Sequence, residues 1–169
     1  MIEIERKFLV KSSDYKKEAH QKTKIVQGYL TKDPHRTVRV RIRENQGFLT
    51  IKGISSEDGL SRFEWEKEIP LKEAQELIAL CLPTIIEKTR YEVTYKGVLF
   101  EVDEFEGSHN GLVLAEVELN SSKEFFEIPK WVDKEVTGDK KYYNSYLSYS
   151  EERIEKGIHA NIVDIKHSF

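Results

Sequence analysis

The stretch Glu3-Ile4-Glu5-Arg6-Lys7-Phe8-Leu9-Val10 decides how this chain is read. Two carboxylates and an ammonium recur at every second residue, with Ile2, Ile4 and Phe8 between them. Successive side chains of a β-strand point to opposite faces. Glu3, Glu5 and Lys7 therefore share one face, and the apolar residues share the other. A carboxylate pair can hold a hard divalent cation through oxygen. A lysine beside that pair can hold a phosphate that the cation bridges.

One such strand proves little, because exposed charge is the ordinary case, but the pattern returns along the chain. Val38-Arg39-Val40-Arg41-Ile42-Arg43 places three guanidiniums on one face, and Leu49-Thr50-Ile51-Lys52 adds an ammonium in phase. Arg62, Glu64, Glu66 and Glu68 alternate with Phe63, Trp65 and Ile69. Lys88 and Arg90 share a face, as do Glu101 and Asp103, and Glu116 and Glu118. A solvated antiparallel sheet laced with cross-strand ion pairs can alternate in this way. Here like charges follow one another along the same face with little Ser, Thr or Gln to dilute them. A polyanion would relieve Arg39, Arg41, Lys52, Lys88 and Arg90. A divalent metal would relieve Glu3, Glu5, Glu116 and Glu118. A metal–triphosphate complex relieves both sets at once.

Strand patterns near 1–10, 23–32, 36–45, 47–53, 60–69, 85–96, 98–106 and 111–119 make eight strands. Asn45-Gln46-Gly47 and Lys96-Gly97 read as tight turns. Eight consecutive antiparallel strands can close into a barrel and lose their edges. The fold class expected is α+β, a closed eight-stranded antiparallel β-barrel with its charged face inward as a wet tunnel. Amphipathic helices would cover part of its apolar outer face. Helical patterns fall at 12–20, 71–81, 121–127 and 139–149. In the second of these, Leu71, Ala74, Leu77, Ile78 and Cys81 form one stripe, with Pro83 beyond it.

The chain has 169 residues, of which 34% are charged, with a formal net charge of only -3. Both signs are abundant together, which fits a site for cations and anions and argues against the net basic footprint of duplex nucleic-acid binding. Cys81 is the only cysteine, excluding an intrachain disulfide and a cysteine-rich zinc site. The five histidines are scattered without metal-binding spacing. No apolar run approaches the roughly 20 residues of a membrane helix, and no apolar leader precedes the first strand. The expected location is the cytoplasm.

These motifs, in this order, resemble the CYTH group of triphosphate tunnel metalloenzymes. The resemblance is carried first by the ExExK strand Glu3-x-Glu5-x-Lys7. It continues through Val38-Arg39-Val40-Arg41-Ile42, Leu49-Thr50-Ile51-Lys52-Gly53, Glu87-Lys88-Thr89-Arg90-Tyr91, Glu101-Val102-Asp103-Glu104-Phe105 and Ala115-Glu116-Val117-Glu118-Leu119. The tail from Glu135 to Asn144 is similar to that of small bacterial members. The match defines a domain over 1–149 and leaves 150–169 as an extension of unassigned role.

The resemblance implies a triphosphate bound through Mg²⁺ or Mn²⁺. Glu3, Glu5 and one or both of Glu116 and Glu118 would hold the metal. Lys7, Arg39, Arg41, Lys52, Lys88 and Arg90 would grip phosphate oxygens, with Arg62, Glu64, Glu66 and Asp103 completing the lining. Lys141, where relatives often carry Arg, would face the terminal phosphate. Either Glu64 or Glu66 would orient the attacking water. The function expected is metal-dependent hydrolysis of inorganic triphosphate or a nucleoside triphosphate. Alternatives on the same fold are a class IV-type adenylyl cyclase, a thiamine triphosphatase and a non-catalytic polyphosphate-binding module. The partner expected is a small-molecule triphosphate, without nucleic acid or membrane, and a homodimer is left open.

Overall fold

The computed structural model describes residues 1–149, so the 150–169 extension lies outside the described residues. Among the described residues nine strands form: β1 Ile2–Val10, β2 Gln21–Tyr29, β3 Arg36–Arg43, β4 Gln46–Gly53, β5 Ser61–Ile69, β6 Ile86–Tyr95, β7 Val98–Phe105, β8 Val113–Glu118 and β9 Val132–Glu135. The first eight close on themselves in the order β5-β4-β3-β2-β6-β7-β8-β1, every neighbouring pair antiparallel, with β1 returning to β5. This is the expected barrel. The ninth strand is unexpected. On β1, residues Ile2–Ile4 pair with β5, and Phe8 and Val10 pair with β9. β9 thus takes up the length of β1 that β5 does not reach.

The turns follow local chemistry. Tyr95 pairs with Val98 across Lys96-Gly97, whose φ values are 47° and 81°. Two central residues with positive φ give a turn that matches strand twist. Between β3 and β4 the turn lies one residue earlier than expected. Arg43 pairs with Gln46, leaving Glu44 and Asn45 as the loop and Glu44 at φ 54°.

The helices are α1 Tyr15–Glu18, α2 Leu71–Leu80 and α3 Asn144–Tyr149, with short 3-10 turns at Gly107–His109 and Lys140–Tyr142. α2 lies across the outside of β2, β3 and β4. Its Ala74 is fully buried and faces Gly47, where any added Cβ would collide with it. The helix expected over 12–20 is a single turn, and the one expected over 121–127 does not form. That second segment leaves Phe125 exposed and buries Phe126 edge-on against Phe8 and Phe100. With Trp131 and Tyr15, these rings join the outward side chains of β1, β6, β7 and β8 in the main apolar core. No helix among the described residues is long and apolar enough to cross a membrane.

A second apolar cluster lies inside the barrel. Inward positions along β1 run Glu3, Glu5, Lys7, Leu9. On neighbouring strands Glu116 is followed towards the same end by Leu114, Asp103 by Phe105, and Lys88 by Ile86. These apolar residues pack with Tyr29, Val136, Tyr142 and Leu147. The lumen is therefore charged at one end and filled at the other, with the chain after β9 supplying Tyr142 and Leu147 to the plug. The tunnel is a cup.

Candidate active site

The charged part of the lumen encloses a cavity of about 230 Å³. Its walls differ in sign. Arg39, Arg41 and Arg43 line it from β3, and Glu116 and Glu118 from β8. In the barrel order β3 and β8 are four strands apart in either direction, so these two sets face each other across the lumen. β1 adds Glu3, Glu5 and Lys7, β4 adds Lys52, β5 adds Arg62, Glu64 and Glu66, β6 adds Arg90, and β7 adds Glu101.

On the basic side, Arg41 donates from Nε to Gln27 Oε1 at 3.0 Å and forms no ion pair among the described residues. Burial, together with the nearby Arg39 and Arg90 charges, lowers its guanidinium to about 9. Arg39 Nη2 donates to Thr50 Oγ1 at 3.1 Å and to Glu66 Oε2 at 3.3 Å, while its Nε is buried without a partner. Under-satisfied guanidiniums in a confined cavity make an anion site, and their planar fork suits phosphate oxygens.

The acidic side is internally strained by charge. Burial raises Glu5, and Glu116 beside it raises it further. Glu118 is raised by burial and then by Glu3, Glu64, Glu101 and Glu5. Burial raises Glu101 too. Glu3 is raised by burial, only partly offset by Lys52 at 2.8 Å. Glu116 behaves oppositely. Burial opposes its charge, but Lys7 at 3.0 Å, Arg90 and Lys88 outweigh that and hold it well below the usual carboxylate range.

Glu64 and Glu66 sit differently. Glu66 Oε2 accepts from Thr50 Oγ1 at 2.6 Å, and this bond and Arg39 keep it low despite burial. Glu64 is also held low, by its hydrogen bond with Glu3 and by Lys52, against burial. Lys52 Nζ lies 3.0 Å from Glu64 Oε2, yet off the angle of a hydrogen bond, so that oxygen is a buried acceptor without a hydrogen-bond partner.

Three expected site residues do not line the cavity. Lys88 and Asp103 are buried against Arg90, which pairs with Asp103 in the β6–β7 register. Asp103 Oδ2 accepts from Lys88 Nζ at 2.6 Å, and Asp103 takes a two-pronged contact from Arg90 at 2.7 and 2.8 Å. Lys88 is completely buried, and burial lowers its ammonium to about 7, despite Asp103, with Arg90 and Arg41 adding to the drop. Asp103 braces Arg90, and Lys88 in turn braces Asp103. Lys141 is a correction of another kind: it is exposed on the 3-10 turn, 3.8 Å from Asp139. Its neighbour Tyr142 takes the inward direction and is buried in the plug, which turns Lys141 outward.

The remaining expected residues, Glu3, Glu5, Lys7, Arg39, Arg41, Lys52, Arg62, Glu64, Glu66, Arg90, Glu116 and Glu118, all line the one cavity. Sequence reading missed Thr37, Asn144 and Ser145, and left Tyr29, Arg43 and Glu101 out of the site set although their strand phase pointed inward. Asn144 and Ser145 carry no period-two signal, because they reach the lumen from α3.

Among the described residues, no three carboxylates, histidines or cysteines are already gathered around one point. The donor set nevertheless suits a hard cation. Glu3, Glu5, Glu116 and Glu118 offer only oxygen, line one side, and three of them are raised by burial and crowding that a bound divalent charge would relieve.

Comparison with known proteins agrees with this architecture. An inorganic triphosphatase of Acetivibrio thermocellus is 46% identical over 146 residues, covering 86% of this chain and 92% of that protein. An inorganic triphosphatase of Nitrosomonas europaea is 40% identical over 155 residues, covering 89% and 99%. The crystal structure of an inorganic triphosphatase matches with a TM-score of 0.64 at 35% identity, covering 88% of this chain and 95% of that one. The family model of the CYTH domain matches residues 1–151, and the chain belongs to the CYTH domain family.

Proposed function

We propose that this chain is a divalent-metal-dependent hydrolase that cleaves a phosphoanhydride bond of inorganic triphosphate within the cup. The observation that carries the reading is the opposition of Arg39, Arg41 and Arg43 to Glu116 and Glu118 across one small cavity. An anion alone gains nothing from the carboxylate wall, and a cation alone gains nothing from the guanidinium wall. The relatives named inorganic triphosphatase support the same reading.

In this proposal Arg39, Arg41, Arg90 and Lys52 bind the phosphate chain and stabilise charge that builds up as the bond breaks. Lys7, held charged by Glu116 and Glu5 against its burial, supplies a further point charge. Glu3, Glu5, Glu116 and Glu118 would hold Mg²⁺ or Mn²⁺, which would supply positive charge to offset that of the phosphate chain. Of the two candidate water-orienting carboxylates, Glu64 is the better placed, because its buried Oε2 is paired with Lys52 but accepts no hydrogen bond, whereas Glu66 Oε2 is committed to Thr50 and Arg39.

Inorganic triphosphate is preferred over a nucleotide because Tyr29, at the plugged end and only 3% exposed, is the single aromatic residue of the described lining. The test is phosphate release from tripolyphosphate, ATP, thiamine triphosphate and pyrophosphate with Mg²⁺ or Mn²⁺, with cyclic AMP assayed in parallel. Tripolyphosphate is expected to have the highest kcat/KM. A preference for ATP with cyclic AMP as product overturns the hydrolase reading.

A further inference from the structure

Gln27 is completely buried at the centre of β2, where an uncharged polar side chain needs partners. It has two strong ones. Its Oε1 accepts from Arg41 Nε at 3.0 Å, and its Nε2 donates to Asn144 Oδ1 at 3.2 Å. Asn144 Oδ1 also accepts from Lys88 Nζ at 3.0 Å. Arginine, and lysine in its charged form, can only donate. With a donor at each end, both amides are held in one orientation: Arg41 donates to Gln27, Gln27 donates to Asn144, and Lys88 donates to the same Asn144 oxygen, where the line converges.

We propose that Gln27 and Asn144 are positioning residues that aim Arg41 at a phosphate group while leaving its charge unneutralised. The proposal rests on the triphosphate reading of the same site. Gln27 pairs directly with Arg41 in the β2–β3 register, so any acceptor at position 27 meets the guanidinium. A glutamate there would accept the same hydrogen bond but would also form an ion pair, consuming the charge the anion needs. The amide fixes the plane of the fork without competing for it. Asn144 extends this control to the C-terminal segment, because it stands at the start of α3, whose Leu147 is locked into the apolar plug. Seating of the plug and aim of Arg41 are thereby one arrangement.

The experiment measures the Kd of tripolyphosphate by calorimetry in excess chelator, where no turnover is expected, alongside Tm. Gln27→Leu is expected to bind about tenfold more weakly, the size of a lost hydrogen bond to a charged group. Gln27→Glu is expected to melt above Gln27→Leu, because its carboxylate pairs with Arg41, yet to bind tripolyphosphate more weakly still. Asn144→Ala is expected to weaken binding, and the double variant Gln27→Leu/Asn144→Ala to be no worse than the poorer single one, as for two links of one chain.

A purely structural glutamine predicts the reverse for Gln27→Glu, with affinity recovering as Tm recovers; that result overturns the proposal. So does an unchanged Kd in Gln27→Leu, or a wild-type chain that binds no tripolyphosphate. If the wild type shows the expected binding pattern but releases no phosphate with Mg²⁺ or Mn²⁺, the relay stands and the hydrolase reading falls. If it releases phosphate while the variants bind as the wild type does, the relay falls and the hydrolase reading stands.

Discussion

Lys7 Nζ lies 3.0 Å from Glu116 Oε1, and the two residues face each other in the β1–β8 register. Two residues along β1, Glu5 faces Glu118 with no ion pair to either among the described residues. The same two strands thus hold one satisfied buried pair and one pair of mutually repelling carboxylates. Variants at these positions should move stability in opposite directions.

Glu116→Ala leaves Lys7 and Arg90 without a shared counter-charge. Removing one partner of a buried pair costs about 3 kcal/mol or more. Glu5→Gln instead removes a charge that burial and Glu116 disfavour, and should stabilise the metal-free protein by roughly 1 kcal/mol, as relief of strain in a functional site often does. Urea unfolding of both variants in excess chelator checks the two signs. Both are expected to lose most tripolyphosphate hydrolysis, so a Glu5→Gln protein that is fully active would sink the assigned metal-holding role.

Metal removal should abolish turnover and raise sensitivity to pH. The folded-state values of Glu3, Glu5, Glu101 and Glu118 lie above their ordinary 4.5. The folded protein therefore holds more protons than the unfolded chain above pH 4.5, and stability falls as pH rises from there through the raised values. Glu64, Glu66 and Glu116 are lowered, so their contribution is present above 4.5 and is lost as pH falls through their folded values. In chelator, Tm should decline as pH rises from 4.5 towards 7, less steeply in Glu5→Gln, and less steeply again with Mg²⁺. Full activity in excess chelator contradicts the mechanism.

Lys88 carries its own window. Its ammonium is lowered to about 7 from an ordinary 10.5, so the unfolded chain binds the extra proton and Lys88 contributes stability that grows with pH between those values. Lys88→Met should flatten this alkaline rise in Tm. It should also weaken hydrolysis through Arg90, whose bracing partner Asp103 loses one of its two cations. An unchanged alkaline profile would show that Lys88 is not the titrating group.

Lys141→Ala should leave kcat/KM for tripolyphosphate within about twofold, as surface substitutions usually do. Arg39→Ala, at a position that is 7% exposed and lines the cavity, should lower it by at least about a hundredfold, the scale of losing one preorganised charge donor. Equal losses in the two variants would mean that the C-terminal segment reaches the substrate in a way its outward side chain here does not.

Leu147→Ala removes a side chain that is 1% exposed in the plug. A cost of about 3 kcal/mol is expected from the lost packing and the cavity left behind.

What the sequence determined by itself was sidedness. Period-two alternation in β1, β3, β5 and β8 assigns each charge to a face, and the crowding of like charges on that face identifies it as one that needs counter-ions. Strand phase is local, so Glu5, Arg39 and Glu116 were legible without knowing their neighbours. Depth along the barrel axis is not local. It depends on the stagger between strands, which only pairing across the closed sheet sets. This stagger keeps Lys88 and Asp103 out of the cavity lining, and brings Leu9, Ile86, Phe105 and Leu114 together as a plug. The same reason hides Gln27, whose importance comes from sitting opposite Arg41 and beneath Asn144, a residue 117 positions away in the chain. It also hides β9, which forms because β1 outruns β5 and leaves backbone hydrogen-bonding groups for Val132 and Glu135 to satisfy.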